Sequence, residues 1–564
     1  MYARNERLPL TRGLPSRQTA PSTGRRLLSA TGRRFIKYTL ACLLFLAVGD
    51  LMVTLQHSLQ TENLIRTADH KPQATVLEDS ADNEQQPPAE GFAGSADEIK
   101  ALPGKPSDYT ARLFSGYLSL ENGGQAFYFL AESQSSTPEI DPVLLWLNGG
   151  PGSSSLAGCF SENGPLLVNE EGRSLRTNKF AWNQRANLLC IESPVGVGFS
   201  YNSSGVYKAD DLSQAEDLYD ALQKFFDKFP WLRTNSFVVS GESYGGVYVP
   251  TTALAIVKGN ARTTDSERRI NLKKFVVGNG VSEYMGLSMV MFAYYHGLLS
   301  TELYSKFRVN CPDLHEFEKS PLTVPGMNDA NPECTDAAME VMATVVFDRI
   351  NMYDVYGSCA GSAKEDIQRL LKEIATPSAA GKLPHPLGNT MDLCLETKHL
   401  ETFFNLAEVR DSMHAHPALA RWSGDALTTA SVDTLSAVLG ADHPKLQQNQ
   451  VLQYSPTLNS EVTPLWRELL ENGVKGVIYH GDADMVCNPL GGLWAVESLR
   501  LPRLAPRSPW IYAAGNSKQT GGFVEKFKGL TYVTVKGAGH LVPASQPAEA
   551  KQMLDLFVLN DVGY

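Results

Sequence analysis

The 564-residue chain contains no internal repeat with a period of roughly 20 to 50 residues, which excludes solenoids and propellers. Its body has no basic block and its formal charge is −11, so nucleic acid is not a partner. Neither G-x-x-x-x-G-K-[ST] nor G-x-G-x-x-G occurs, so no phosphate-cradling signature is present. None of the eight cysteines shows C-x-x-C spacing, and no His/Cys cluster suggests zinc, so no metal or cofactor is implied. The longest unbroken apolar run is about a dozen residues, the length of a signal-peptide core. What remains, 43% hydrophobic and 20% charged, is the composition of an ordinary globular protein of one large domain with insertions, or of two domains.

Charge is unevenly distributed. Residues 1–37 are basic from Arg4 to Lys37, with one acid, Glu6, and lead into Tyr38–Gly49. Counted from Phe35 to Leu55, the apolar stretch approaches the roughly 20 residues that span a bilayer, with Lys37 and Asp50 near its ends. The basic leader favours an uncleaved anchor with a cytosolic N-terminus over a cleaved signal peptide; either sends the body into the secretory lumen. The expected layout is a leader at 1–34, a signal anchor or signal peptide at 35–55, and a disordered stem or propeptide at 56–96. A single sequon, Asn202-Ser-Ser204, fits a lumenal body. So do the four cysteines between 311 and 394, which suit two bridges in an oxidising compartment.

From Asp97 onward, strand and helix patterns alternate. Phe114–Leu120 and Gln125–Ala131 read as a hairpin about Glu121-Asn-Gly-Gly124. Buried strands follow at Pro142–Leu147, Asn187–Ile191, Ser236–Ser240, Asn271–Asn279, Gly476–Tyr479 and Leu530–Val535, and helical spacing at 212–229 and after Val247. The alternation breaks at 283–395, a cysteine- and proline-bearing stretch that reads as an inserted cap between core segments 97–282 and 396–564. The pattern predicts an α/β protein with a mostly parallel central sheet.

Gly241-Glu-Ser-Tyr-Gly245, between a strand and a helix, has the context of a nucleophile elbow. The glycine-rich loop Asn148–Ser155 follows an earlier strand and suits an oxyanion hole. Two later strands run into His480-Gly-Asp-Ala-Asp484 and Lys536-Gly-Ala-Gly-His540. The order Ser243, Asp484, His540 is that of α/β-hydrolases: His540 would take the serine proton and the aspartate would fix the imidazole. Position alone does not separate Asp484 from Asp482.

WLNGGPG at 146–152, ESPVGVGFSY at 192–201, GESYGG at 241–246, GNG at 278–280, HGLLS at 296–300, GDADMVCN at 481–488 and KGAGHLVP at 536–543 resemble the serine carboxypeptidases over about residues 97–564. The resemblance implies an α/β-hydrolase fold with a disulfide-bearing cap, and Asp484 as the triad acid. It implies an oxyanion hole from the N–H groups of Gly150 and Tyr244. Asn148, Glu162 and Glu242 would bind the substrate's terminal carboxylate, the two glutamates sharing protons with it in acid. It pairs Cys311 with Cys334 and Cys359 with Cys394, and makes Cys487 a free thiol near the substrate. Cys159 and Cys190 read as core thiols. The family's usual cysteine is absent at Ser153, and so is its partner in the segment matching Trp422-Ser-Gly-Asp425, so that bridge is lost as a unit.

The expected function is release of C-terminal amino acids from peptides or proteins through an acyl-enzyme, at acidic pH, in a lysosome- or vacuole-like lumen. Alternatives are acyl transfer or ester hydrolysis on small molecules, and a scaffold protecting partner enzymes. Homodimerisation is left open by the sequence.

Overall fold

Val143-Leu-Leu-Trp-Leu147 has no polar residue on either face, and every one of its side chains is buried. Such a strand belongs in a parallel sheet covered by helices on both sides. The computed structural model has this architecture. It describes residues 91–311, 350–359, 397–428, 451–514 (459 excepted) and 517–560, with scattered positions including Cys334 and Cys394. All fall in one of the chain's two units, Glu84–Tyr564.

The described strands are β1 (Leu113–Ser119), β2 (Gly124–Ala131), β3 (Val143–Leu147), β4 (Leu166–Val168), β5 (Leu175–Thr177), β6 (Asn187–Ile191), β7 (Tyr201–Asn202), β8 (Lys208–Asp210), β9 (Phe237–Ser243), β10 (Leu272–Gly280), β11 (Gln453–Ser455), β12 (Lys475–Gly481), β13 (Ser508–Ala514), β14 (Ser517–Phe527) and β15 (Leu530–Val535). The main sheet runs β1-β2-β6-β3-β9-β10-β12-β15-β14-β13, with β7 beside β2. From β6 to β15 the neighbours are parallel, and antiparallel strands close both edges. β4 and β5 form a small ladder, as do β8 and β11.

Alternation divides the core into two layers. On β9, Phe237 and Val239 join one apolar cluster, with Leu218 and Phe225 of α2 (Asp211–Lys228) and Val247 and Tyr248 of α3 (Gly245–Arg262). Val238 joins the opposite cluster, with Leu156 and Phe160 of α1 (Ser155–Ser161) and Met553. Each buried large apolar side chain contributes about 1.5–3 kcal/mol. The start of α2 is set by a reciprocal cap: Asp210 accepts from the Leu212 and Ser213 N–H groups at 2.9 Å, and Ser213 Oγ accepts from the Asp210 N–H at 2.9 Å.

The hairpin and the strands read from sequence are present. The structure adds β13 and β14, an edge ribbon whose Ser, Lys, Gln and Thr residues carry no buried-strand signal. Residues before Asp97 also join the body: the Phe92 ring packs 4.7 Å from Trp231 and 6.1 Å from Phe114. Residues 1–90, which include the leader, the 35–55 segment and most of the proposed stem, lie outside the described residues. Among those described, no helix is long and apolar enough to cross a membrane.

Much of the 283–395 stretch is likewise outside the described residues. Its described parts include helices Met285–Tyr295 and Thr301–Asn310, which build a third apolar cluster around Phe292, Leu303 and Phe307. Cys311 pairs with Cys334 and Cys359 with Cys394. One expectation needs correction: Cys159 and Cys190 are bonded to each other. Packing of α1 against β6 brings their Cα atoms to 6.8 Å, within bridging range, a proximity that sequence spacing does not reveal. Asn202 lies on β7 at the sheet margin, its side chain accepting from the Ser204 N–H at 2.9 Å.

Candidate active site

Four loops at the carboxyl ends of β3, β9, β12 and β15 hold the predicted site residues, where parallel sheets place their sites. β9 ends in Ser243, whose φ is +61°, and α3 starts two residues later. A serine in the left-handed region costs about 1–3 kcal/mol, borne by the surrounding packing. The turn is tight enough that a Cβ on Gly246 would lie 2.4 Å from the Val281 carbonyl oxygen.

His540 Nδ1 and Asp484 Oδ2 are 2.7 Å apart, both groups buried. Asp484 also accepts from Asn279 Nδ2 at 2.7 Å, Val486 N–H at 2.9 Å and Cys487 N–H at 3.3 Å. Asp482 is turned away and accepts from the Gly537 N–H at 2.6 Å, clipping one loop to the other. This geometry separates the two aspartates where position could not. The His540 N–H donates to the Tyr353 carbonyl at 2.6 Å, and the Tyr353 ring stands 5.0 Å from the imidazole. With Nδ1 on the carboxylate, Nε2 is the ring atom left for other chemistry.

Donor atoms of Asp484, Cys487 and His540 lie within 4.8 Å of one another. Asp484 Oδ2 is already taken up by His540, Asn279 and the Cys487 N–H, so the group suits proton handling better than cation binding. Burial, then the negative charges of Asp484 and Glu242, push the Cys487 thiol well up and keep it protonated.

The loop after β3 meets the elbow backbone to backbone: a Cβ on Gly149 would sit 2.3 Å from the Tyr244 nitrogen. The N–H groups of Gly150 and Tyr244 have no hydrogen-bond partner among the described residues. Ser153 and Asp425 face each other as an isolated antiparallel bridge, and the Ser153 hydroxyl donates to the Asp425 carboxylate. A polar contact therefore stands where the resemblance places the missing disulfide.

Beside the elbow, Asn148 Nδ2 donates to Glu242 Oε1 at 2.8 Å, and Asn148 Oδ1 accepts from Trp146 Nε1 at 2.9 Å and the Gly158 N–H at 3.1 Å. Glu162 caps the end of α1 and faces Glu242. Both glutamates are buried, and the Oε2 atom of each lacks a donor among the described residues. Burial raises both carboxyls above the ordinary range, and the nearby Glu162 charge pushes Glu242 further. Two carboxyls facing each other in this space can pair only by sharing a proton.

Two residues near these groups were not singled out from sequence. Asn279, with φ +40° at the end of β10, donates to Asp484 and accepts from the Gly481 N–H at 3.0 Å. Its only prior signal was its place between two glycines at a strand end. Tyr479 has a buried hydroxyl without a hydrogen-bond partner among the described residues, raised first by burial and then by Glu242 and Glu162. In the sequence it reads only as a strand aromatic.

Residues 103–560 match the family model described as serine carboxypeptidase. The chain is 34% identical over 483 residues to the lysosomal protective protein of Mus musculus, covering 83% of this chain and 94% of that protein. It is 35% identical over 481 residues to the serine carboxypeptidase-like protein 26 of Arabidopsis thaliana, covering 82% and 93%. In structure it is similar to a prohormone-processing carboxypeptidase of Saccharomyces cerevisiae, with a TM-score of 0.63 at 23% identity, covering 82% of this chain and 96% of that one.

Proposed function

This chain belongs to the serine carboxypeptidase family, and from that premise we propose roles for the residues at its sheet edge. It is a serine carboxypeptidase with an α/β-hydrolase fold, a hydrolase that removes C-terminal amino acids from peptides. Ser243 Oγ attacks the last peptide carbonyl while His540 Nε2 takes its proton, and Asp484 stabilises the resulting imidazolium. The Gly150 and Tyr244 N–H groups hold the oxyanion. His540 then gives the proton to the departing amino acid, and water attacks the acyl-enzyme by the same route in reverse.

The observation that carries the preference for free C-termini is the Glu162–Glu242 pair beside Asn148, with buried Oε2 atoms that lack donors among the described residues. A terminal carboxylate placed there completes a set of carboxyl groups joined by protons. That arrangement forms in acid and repels the substrate when both glutamates ionise. It favours peptide C-termini over the neutral esters of an acyltransferase, and it suits an acidic lumen of the secretory pathway. Residues 35–55 would bring the body there, as signal peptide or anchor, and residues 283–395 would form a cap over the sheet edge.

A serine-reactive fluorophosphonate should label Ser243, and release of C-terminal residues should decline from about pH 5 to about pH 8. A peptide amide should be a poor substrate throughout. Equal turnover of free acid and amide in acid would remove the carboxylate-binding role.

A further inference from the structure

One buried carboxylate takes part in neither the triad nor the acid pair. Asp211, the first residue of α2, is completely buried. Tyr244 Oη at 2.8 Å and Tyr454 Oη at 2.7 Å donate to its Oδ1. The Leu458 N–H at 2.8 Å and Thr457 Oγ1 at 3.4 Å donate to its Oδ2.

Tyr244 is the elbow residue whose N–H is assigned to the oxyanion hole with that of Gly150. It caps α3 without any side-chain capping bond; the Val281 N–H holds the Ser243 carbonyl of its peptide at 2.9 Å, and its own carbonyl accepts from the Val247 and Tyr248 N–H groups at 2.9 and 3.2 Å. Its side chain instead reaches down into the α2–α3 layer, where the ring packs 5.2 Å from Tyr248 and 5.8 Å from Tyr454 and the hydroxyl ends on Asp211. Pairing of β8 with β11 sets Asp210 against Ser455 and thereby brings Asp211 to Tyr454.

The same segment reaches the other half of the hole. Leu452 bridges Thr428, its N–H donates to the Leu427 carbonyl at 2.9 Å, and the Ala426 N–H donates to the Gly152 carbonyl at 2.9 Å. Residues 452–458 thus touch the Gly150 loop through 426–428 and the elbow through Asp211.

We propose that Asp211 is a positioning residue for the oxyanion hole, its carboxylate tying the Tyr244 side chain to Tyr454 and the 457–458 turn so that the Tyr244 N–H keeps its place there. This rests on the assignment of Tyr244 to the hole. Asp211 touches no reacting atom, so its loss should appear where negative charge develops on the carbonyl oxygen and leave ground-state carboxylate binding intact.

The test uses Asp211→Asn, which puts an amide N–H against one set of donors, Tyr244→Phe, which removes only the hydroxyl, and the double variant. Three quantities are read: kcat and KM on a blocked dipeptide, inhibition by a peptide aldehyde that forms a hemiacetal with Ser243, and binding of a free-acid product. Removing an oxyanion donor outright costs on the order of 100- to 1000-fold in rate, so loosening one should lower kcat by about 10- to 100-fold. Aldehyde affinity should fall in step, with KM and product binding within about threefold and the double variant no worse than the poorer single one.

Wild-type kcat in both variants would overturn the role of Asp211. So would an equal loss of product binding, which marks general loosening. A lowered kcat with undiminished aldehyde affinity would instead overturn the place of Tyr244 in the hole. If Asp211→Asn does not fold, Tyr244→Phe carries the same readouts alone.

Discussion

Two buried carboxyls that face each other cannot both ionise without a large electrostatic cost, and this sets what Glu162 and Glu242 can do. Below neutrality the pair retains protons and can donate to a substrate carboxylate. As pH rises the pair becomes negative and repels that carboxylate. KM for a free-acid peptide should therefore climb between about pH 5 and about pH 8 while KM for the matching ester stays flat, as steady-state kinetics on the two substrates would show. Glu162→Gln should raise KM for the free acid about tenfold in acid and flatten the pH trend, because an amide cannot share the pair's proton. Ser243→Ala should lower kcat by about a millionfold without changing product affinity. At this scale the motifs name Ser243 and His540 directly. Position alone does not separate Asp484 from Asp482; the family resemblance names Asp484, and the hydrogen bonds each makes after the chain has turned agree with it.

Among the elements, the loop after β3 and the end of α1 carry most of the site, and their anchoring is chain-specific. Antiparallel bridged residues have Cα atoms about 4.5–5.5 Å apart, which is disulfide range, so Ser153 and Asp425 are placed for a crosslink. Ser153→Cys with Asp425→Cys should bond on oxidation and raise the thermal midpoint, the usual contribution being about 2–4 kcal/mol. Non-reducing peptide mapping and calorimetry would check both. Cys159, one turn before Glu162, ties α1 to β6 through Cys190. Replacing both by alanine should destabilise by about 2–4 kcal/mol and raise KM for free-acid peptides more than it lowers kcat. Strand, elbow and helix are readable as elements because each is a local pattern of periodicity and glycine. The 159–190 bridge is not, since it depends on how two patterns pack.

Across the whole molecule, several buried acids have carboxyls raised above their ordinary range, chiefly by burial. The fully buried Glu192 is pushed up to about 7 despite accepting from Ser154, the Phe199 N–H and Trp422, and the half-buried Asp217 is raised to about 6. A raised carboxyl binds its proton more tightly folded than unfolded. Its contribution to stability is complete below the unfolded value, and it is lost as pH rises through the folded one. For Glu192 that window runs from about pH 4.5 to about pH 7. The thermal midpoint should therefore fall across this range, and Glu192→Gln should make the profile shallower. A midpoint that rises steadily toward pH 7.5 would rule this out. Preference for acid would then be a property of the scaffold as well as of the site.

The amino-acid sequence by itself determined the parallel sheet, the elbow, and the acid and base loops, while the two extra glutamates are marked by what its motifs resemble. These are short-range signals of period, turn and motif, legible before any chain contact is known. Tertiary structure alone decided that Cys159 and Cys190 are bonded and that Asp211 holds Tyr244, and it set the hydrogen bonds that put Asp484 on His540 and the burial that brings Glu162 to Glu242. Each of these joins residues from separate loops or helices, and their distances exist only once the two core layers have closed on the sheet.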